Sequence, residues 1–153
     1  MAAPTLDQTR AAASGIHSMA EADFAKRRSS EAGDALVALF VVLAKKLFPK
    51  DKEPQTAARV ELMLGAYFLR GEVDHKAAKP PAEAAARKVI DQVAALDGPT
   101  LDQRITDEVG DAVLAFFSAF ATKAMPGLDP DARAKTVQLM VLAYLARREL
   151  QAV

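Results

Sequence analysis

Shifted by 77 positions, the chain aligns with itself. Residues 31–73 and 108–150 pair without a gap, and 17 of the 43 paired residues are identical. An alanine-rich chain would match by chance at about four of them. A period of this kind means that one helical unit was used twice, with neither copy able to bury its apolar face alone. Gly33-Asp34-Ala35 recurs as Gly110-Asp111-Ala112, and Pro49 recurs as Pro126. Val60, Leu62, Met63, Ala66, Tyr67 and Arg70 recur as Val137, Leu139, Met140, Ala143, Tyr144 and Arg147. That spacing describes one apolar helical face. The expected organisation is one domain with internal repeats 5–73 and 82–150 joined by a linker, 74–81.

Each repeat reads as three helices, giving an all-α bundle of about six related by a pseudo-twofold axis. The first pair is expected over 6–20 and 81–96, with Thr5-x-x-Gln8 as a capping box and Pro80-Pro81 near the start of the other. The second pair is expected over 24–48 and 101–125, with Asp23 and Thr100 as N-caps and breaks near Ser29-Ser30 and Thr106-Asp107. The third pair is expected over 54–71 and 130–151, opening on Pro54 and Pro130, with Gly71 ending the earlier one. The second helices carry Leu36 to Leu43 and Val113 to Phe117 as nearly unbroken apolar runs, which predicts a place at the centre of the bundle. Gly33 and Gly110 are costly inside a helix. Their recurrence predicts a close approach of two helices there, the alternative being a shared glycine in a local kink.

Charge and composition narrow the function. Lys and Arg total 20 against 20 Asp and Glu, so no basic stripe for nucleic acid is expected. The triplet Lys26-Arg27-Arg28 reads as a solvated face. The longest apolar run, 35–44, is too short for a bilayer and ends in Lys45-Lys46. The N-terminal stretch Met1 to Asp7 has no basic-then-apolar leader pattern, so cytoplasmic residence is expected. With no cysteine and two histidines, His17 and His75, thiolate chemistry and His-rich metal sites are excluded. Tyr67, Tyr144, Phe116, Phe117 and Phe120 read as core aromatics, and Ser29-Ser30 has no partner that would make it a nucleophile.

The acidic pairs Glu31-x-x-Asp34 and Glu108-x-x-Asp111 are the one constellation with metal-binding spacing. Carboxylates three apart share a helical face, and four of them across a twofold could hold Mg²⁺, a cation that prefers oxygen ligands. Acidic residues near a helix start also complement its dipole without any ligand. The stretch Thr106 to Leu114 resembles the E-x-x-D helix of the MazG-like nucleoside triphosphate pyrophosphohydrolases, and residues 88–130 share that family's rhythm of helix, loop and acidic-then-apolar helix. The resemblance implies an all-helical, Mg²⁺-dependent hydrolase with Glu108 and Asp111 as metal ligands and Glu31 and Asp34 as their copy. The family's earlier E-x-x-E helix has no counterpart, since 88–93 carries one acid and 11–16 none. The leading expectation is therefore a non-enzymatic interaction or adaptor-type protein acting through a helix face or groove. It would use a protein partner or self-association, with no nucleic acid, membrane or cofactor. The MazG-like hydrolase, or a degenerate relative, is the alternative.

Overall fold

The computed structural model describes residues 3–151. Met1 and Ala2, the start of the N-terminal stretch discussed above, lie outside the described residues, as do Ala152 and Val153. The fold is all-α, and the described residues form six helical stretches. Two of these are interrupted, so that the α-helical segments are α1 (Leu6–His17), α2 (Glu21–Arg27), α3 (Gly33–Leu47), α4 (Glu53–Asp74), α5 (Glu83–Ala94), α6 (Gly98–Arg104), α7 (Gly110–Ala124) and α8 (Pro130–Gln151). Five-residue π-helical turns, Arg28–Ala32 and Ile105–Val109, join α2 to α3 and α6 to α7. They fall where the breaks near Ser29-Ser30 and Thr106-Asp107 are expected. No helix among the described residues is long and apolar enough to cross a membrane.

Local chemistry sets the helix ends. The Thr5 hydroxyl accepts from the Gln8 amide at 3.2 Å while Thr5 N–H donates to Gln8 Oε1 at 2.9 Å, the reciprocal box read from the sequence. Asp23 and Thr100 are not N-caps, because α2 and α6 start earlier. Asp97 caps α6, accepting from the Thr100 amide at 2.8 Å, and the Thr100 side chain together with this amide holds its carboxyl below the usual range. Pro80 and Pro81 stay in the linker, since α5 opens at Glu83. Gly71 does not end α4, which continues to Asp74 and stops at His75 in the left-handed region, φ 53°.

The two central glycines serve a different purpose from the expected helix crossing. Gly33 has φ 80° and ψ 164°, and Gly110 has φ 77° and ψ 170°. This backbone region is nearly closed to other residues. The close neighbour in each case is a non-helical segment. A Cβ on Gly33 would stand 2.7 Å from Pro80 Cβ in the linker, and one on Gly110 would stand 2.8 Å from Ala3 Cβ in the N-terminal segment. Helix propensity alone would make alanine stabilising at either position. Backbone strain and overpacking reverse that sign, so Gly33→Ala and Gly110→Ala should each destabilise on the order of 2–4 kcal/mol. Urea unfolding curves measure this, and an alanine variant more stable than the parent would refute it.

The centre of the bundle is held by α4 and α8, which pack along each other more extensively than any other pair. The expectation that the second helices occupy it does not hold. In α3, Val42 is 61% exposed and Ala38 faces solvent, and in α7 Ala115 and Ala119 are exposed. Their inner faces, with Leu36, Phe40 and Leu43 or Val113, Phe117 and Ala121, flank the central pair. The outer faces are small or β-branched residues that tolerate exposure. The polar-looking helices α4 and α8 are the buried ones because Arg59, Arg70 and Arg147 go into the core with them.

Candidate functional site: buried arginine clusters and two recesses

Burying a guanidinium is costly unless it is paired and hydrogen-bonded. Arg147 on α8 meets that demand. It is 0% exposed, and its Nη atoms lie 3.3 and 3.4 Å from Glu31 Oε1. Nη2 also donates to the Lys76 carbonyl at 2.9 Å and Nε to Gln151 Oε1 at 2.7 Å. The cation lies 4.8 Å from the Tyr67 ring centroid. Glu31 is held from its other side by Arg27, which pairs with Glu72 at 2.9 Å and lies over the Phe68 ring. Arg27 is thus a structural ion-pair residue and not part of a solvated face. Gly71 leaves room for this arrangement, since a Cβ there would fall 2.3 Å from Arg147 Nη2.

The counterparts 77 positions away form a second cluster with different partners. Arg70 lies 4.7 Å from the Tyr144 ring centroid, and its Nε donates to Asp74 Oδ2 at 2.8 Å. Glu108 accepts from Arg104 Nε at 2.8 Å, and Arg104 also pairs with Glu149 at 2.8 Å. The place of Gly71 is taken by Arg148, whose Nη1 sits 2.9 Å from Glu108 Oε1. Arg70 Nη1 stands back at 3.9 Å from that same oxygen. Among the described residues, Arg70 Nη1 and the Tyr144 hydroxyl have no hydrogen-bond partner. A third buried arginine, Arg59, pairs with Asp51 at 2.7 Å, donates to the Thr136 hydroxyl and covers the Phe48 ring.

These surroundings shift three acids. Burial pushes both Tyr67 and Tyr144 up to about 12, with Arg147 and Arg70 opposing it. Glu108 is pushed up by burial, but hydrogen bonds and charge from Arg104 and Arg148 outweigh it and hold the carboxyl below its ordinary 4.5. A tyrosine whose folded value exceeds its unfolded value near 10 stabilises the fold below that pH and loses the contribution as pH rises toward 12. These are the chain's only two tyrosines and it has no Trp. Ultraviolet titration should therefore show no phenolate before unfolding, with stability falling between about pH 10 and about pH 12. Phenolate appearing near pH 10 in the folded chain would refute this burial.

The residues read from the sequence as metal ligands are separated by role. Glu31 and Glu108 face arginines, whereas Asp34 and Asp111 are exposed. Among the described residues, no three His, Asp or Glu side chains group as a metal ion would require. His17 is at the surface, stacked on Phe120 at 5.7 Å with Nε2 3.0 Å from Lys123 Nζ, and His75 is exposed. Sequence reasoning missed the arginine clusters. Their signal was present, since Arg27 and Glu31, four apart, recur as Arg104 and Glu108.

Two recesses complete the candidate surface. A groove of about 610 Å³ runs between α1, α2, α4 and α7. Ile16, Met19, Phe24, Leu62, Phe120 and Met140 line it, and Glu21, Glu61 and Lys123 stand at its rim. A pocket of about 470 Å³ lies over the second cluster, lined by Ala3, Pro4, Arg70, Val73, Asp74, Lys76, Glu108 and Tyr144 among others. Comparison with protein-family models, curated proteins and solved structures gave no match for this chain.

Proposed function

We propose that this chain is a non-enzymatic, adaptor-type binding protein of the cytoplasm, built from two copies of one three-helix unit around a pseudo-twofold axis. Reciprocity supports the twofold. Glu31 meets Arg147 as Glu108 approaches Arg70, Gly33 meets Pro80 as Gly110 meets Ala3, and in each case the partners exchange under the 77-residue shift. The adaptor reading is carried by the groove between α1, α2, α4 and α7, whose floor offers Ile16, Phe24, Leu62 and Phe120 to the apolar face of a helix. Met19 gives that floor an adaptable surface. Two exposed carboxylates, Glu21 and Glu61, face one rim lysine, Lys123, which already sits against His17. The partner that suits this rim is a basic amphipathic helix of another protein.

A fluorescent Leu/Lys peptide with apolar residues at helical spacing is the probe, read by anisotropy. The expected result is saturable binding that the double variant Glu21→Lys, Glu61→Lys weakens about tenfold, with a Leu/Glu peptide of the same pattern binding poorly. Equal binding of both peptides, or no saturation with either, would overturn the reading. So would light scattering showing a dimer that Phe120→Glu dissociates, because the groove would then belong to a second copy.

A further inference from the structure

The pocket over Arg70 contains a feature that packing does not explain. Arg70 is 2% exposed and Tyr144 fully buried, yet Arg70 Nη1 and the Tyr144 hydroxyl lack hydrogen-bond partners among the described residues. Buried polar groups in native proteins are nearly always paired. Here both donors are buried atoms on residues that line a pocket of about 470 Å³. At the counterpart position the acceptors come from within the chain, because Glu31 and the Lys76 carbonyl both take hydrogen bonds from Arg147. Part of the difference is the Lys76 carbonyl, which has no equivalent among the acceptors of Arg70, and part is one residue exchange. Arg148, standing where the first unit has Gly71, binds Glu108 at 2.9 Å and leaves Arg70 Nη1 3.9 Å from it.

Donor chemistry defines what fits. Arg70 Nη1 and the Tyr144 hydroxyl both donate, which suits the two oxygens of a carboxylate. The charged lining is balanced, Arg70 and Lys76 against Asp74 and Glu108. A doubly charged phosphate would meet Asp74 and Glu108 in the same wall. Pro4, Ala3 and Val73 supply an apolar side. We infer that this pocket binds a small monocarboxylate, its oxygens accepting from Arg70 Nη1 and the Tyr144 hydroxyl and its short apolar tail lying against Pro4 and Val73. The site is separate from the helix groove and stands whether or not that groove takes a peptide.

Butyrate, butyramide and inorganic phosphate are the probes, titrated into the full chain and followed by the Arg70 Nε–H NMR signal and by melting temperature. Butyrate should saturate the Arg70 signal with an affinity on the order of millimolar, as befits so small a ligand, and raise the melting temperature by mass action. Tyr144→Phe should weaken binding by at least about fivefold through loss of one hydrogen bond, while Tyr67→Phe leaves it unchanged. Tyr144→Phe removes a hydroxyl without a partner, so its helical circular dichroism should match the parent. Arg148→Ala provides a second variant that spares both donors. It frees Glu108 to reach Arg70 and should abolish the butyrate response. Absence of saturation, or full binding by both Tyr144→Phe and Arg148→Ala, would overturn the site. Equal binding of butyramide would overturn the carboxylate class, and equal binding of phosphate would reduce it to an adventitious ion only.

Discussion

Residues 1–76 and 78–153, expressed separately, should each fail to form a cooperatively melting monomer. Half of the chain is of a size at which one hydrophobic core is already marginal. The interactions that close this core run between the halves. The longest helix packing joins α4 to α8, Arg147 finds Glu31, and Arg59 finds Thr136. Alone, the first half would leave Glu31 without Arg147 and the apolar face of α4 open to water. Each piece should aggregate or self-associate, as an isologous dimer replaces the missing half. Co-expression should restore a heterodimer with the helical signal of the intact chain. Gel filtration with light scattering and thermal melts decide this. Two halves that remain monomeric and melt sharply on their own would show two independent domains.

Glu31→Gln should cost much more than Glu108→Gln, although the two carboxylates occupy equivalent sequence positions. Glu31 is the charge partner of Arg147, which is 0% exposed and cannot reach water when the partner is removed. Breaking such a buried pair costs about 3–5 kcal/mol. Glu108 is held mainly by Arg104 and Arg148, which are 21% and 31% exposed and can be solvated instead. Its removal should cost on the order of 1–2 kcal/mol. Acid provides a second readout. The folded value of Glu108 lies below its ordinary 4.5, so its contribution is complete above that pH and disappears as pH falls through the lower folded value. The stability gap between parent and Glu108→Gln should therefore narrow from about pH 7 to about pH 3. Equal losses for the two variants would show that the asymmetry around Arg148 has no energetic meaning.

Helical class, six helical stretches, the capping box at Thr5 and the breaks near Ser29-Ser30 and Thr106-Asp107 were all legible in the sequence. Each depends on residues close together in the chain, where spacing, capping chemistry and glycine act locally. The layering of the helices was not legible. Hydropathy places α3 and α7 at the centre because it counts every apolar residue as inward, although Val42, Ala38, Ala115 and Ala119 face outward. It likewise discounts α4 and α8 for their arginines, although Arg59, Arg70 and Arg147 are buried.

The same distinction separates the two readings of the acidic pairs. Three-residue spacing puts Glu31 with Asp34, and Glu108 with Asp111, on shared helical faces. Whether those carboxylates meet one another or meet cations depends on chain beyond their own helix, at Arg147 for Glu31 and at Arg148 for Glu108. The exchange of Gly71 for Arg148 is visible when the repeats are aligned. Its consequence is not, because it takes the packed geometry to put Arg148 on Glu108 and leave Arg70 Nη1 without an acceptor. Local order follows from residues that are neighbours in the chain. Burial, ion pairing and the unpaired donors at Arg70 and Tyr144 follow from which distant side chains the folded core forces together.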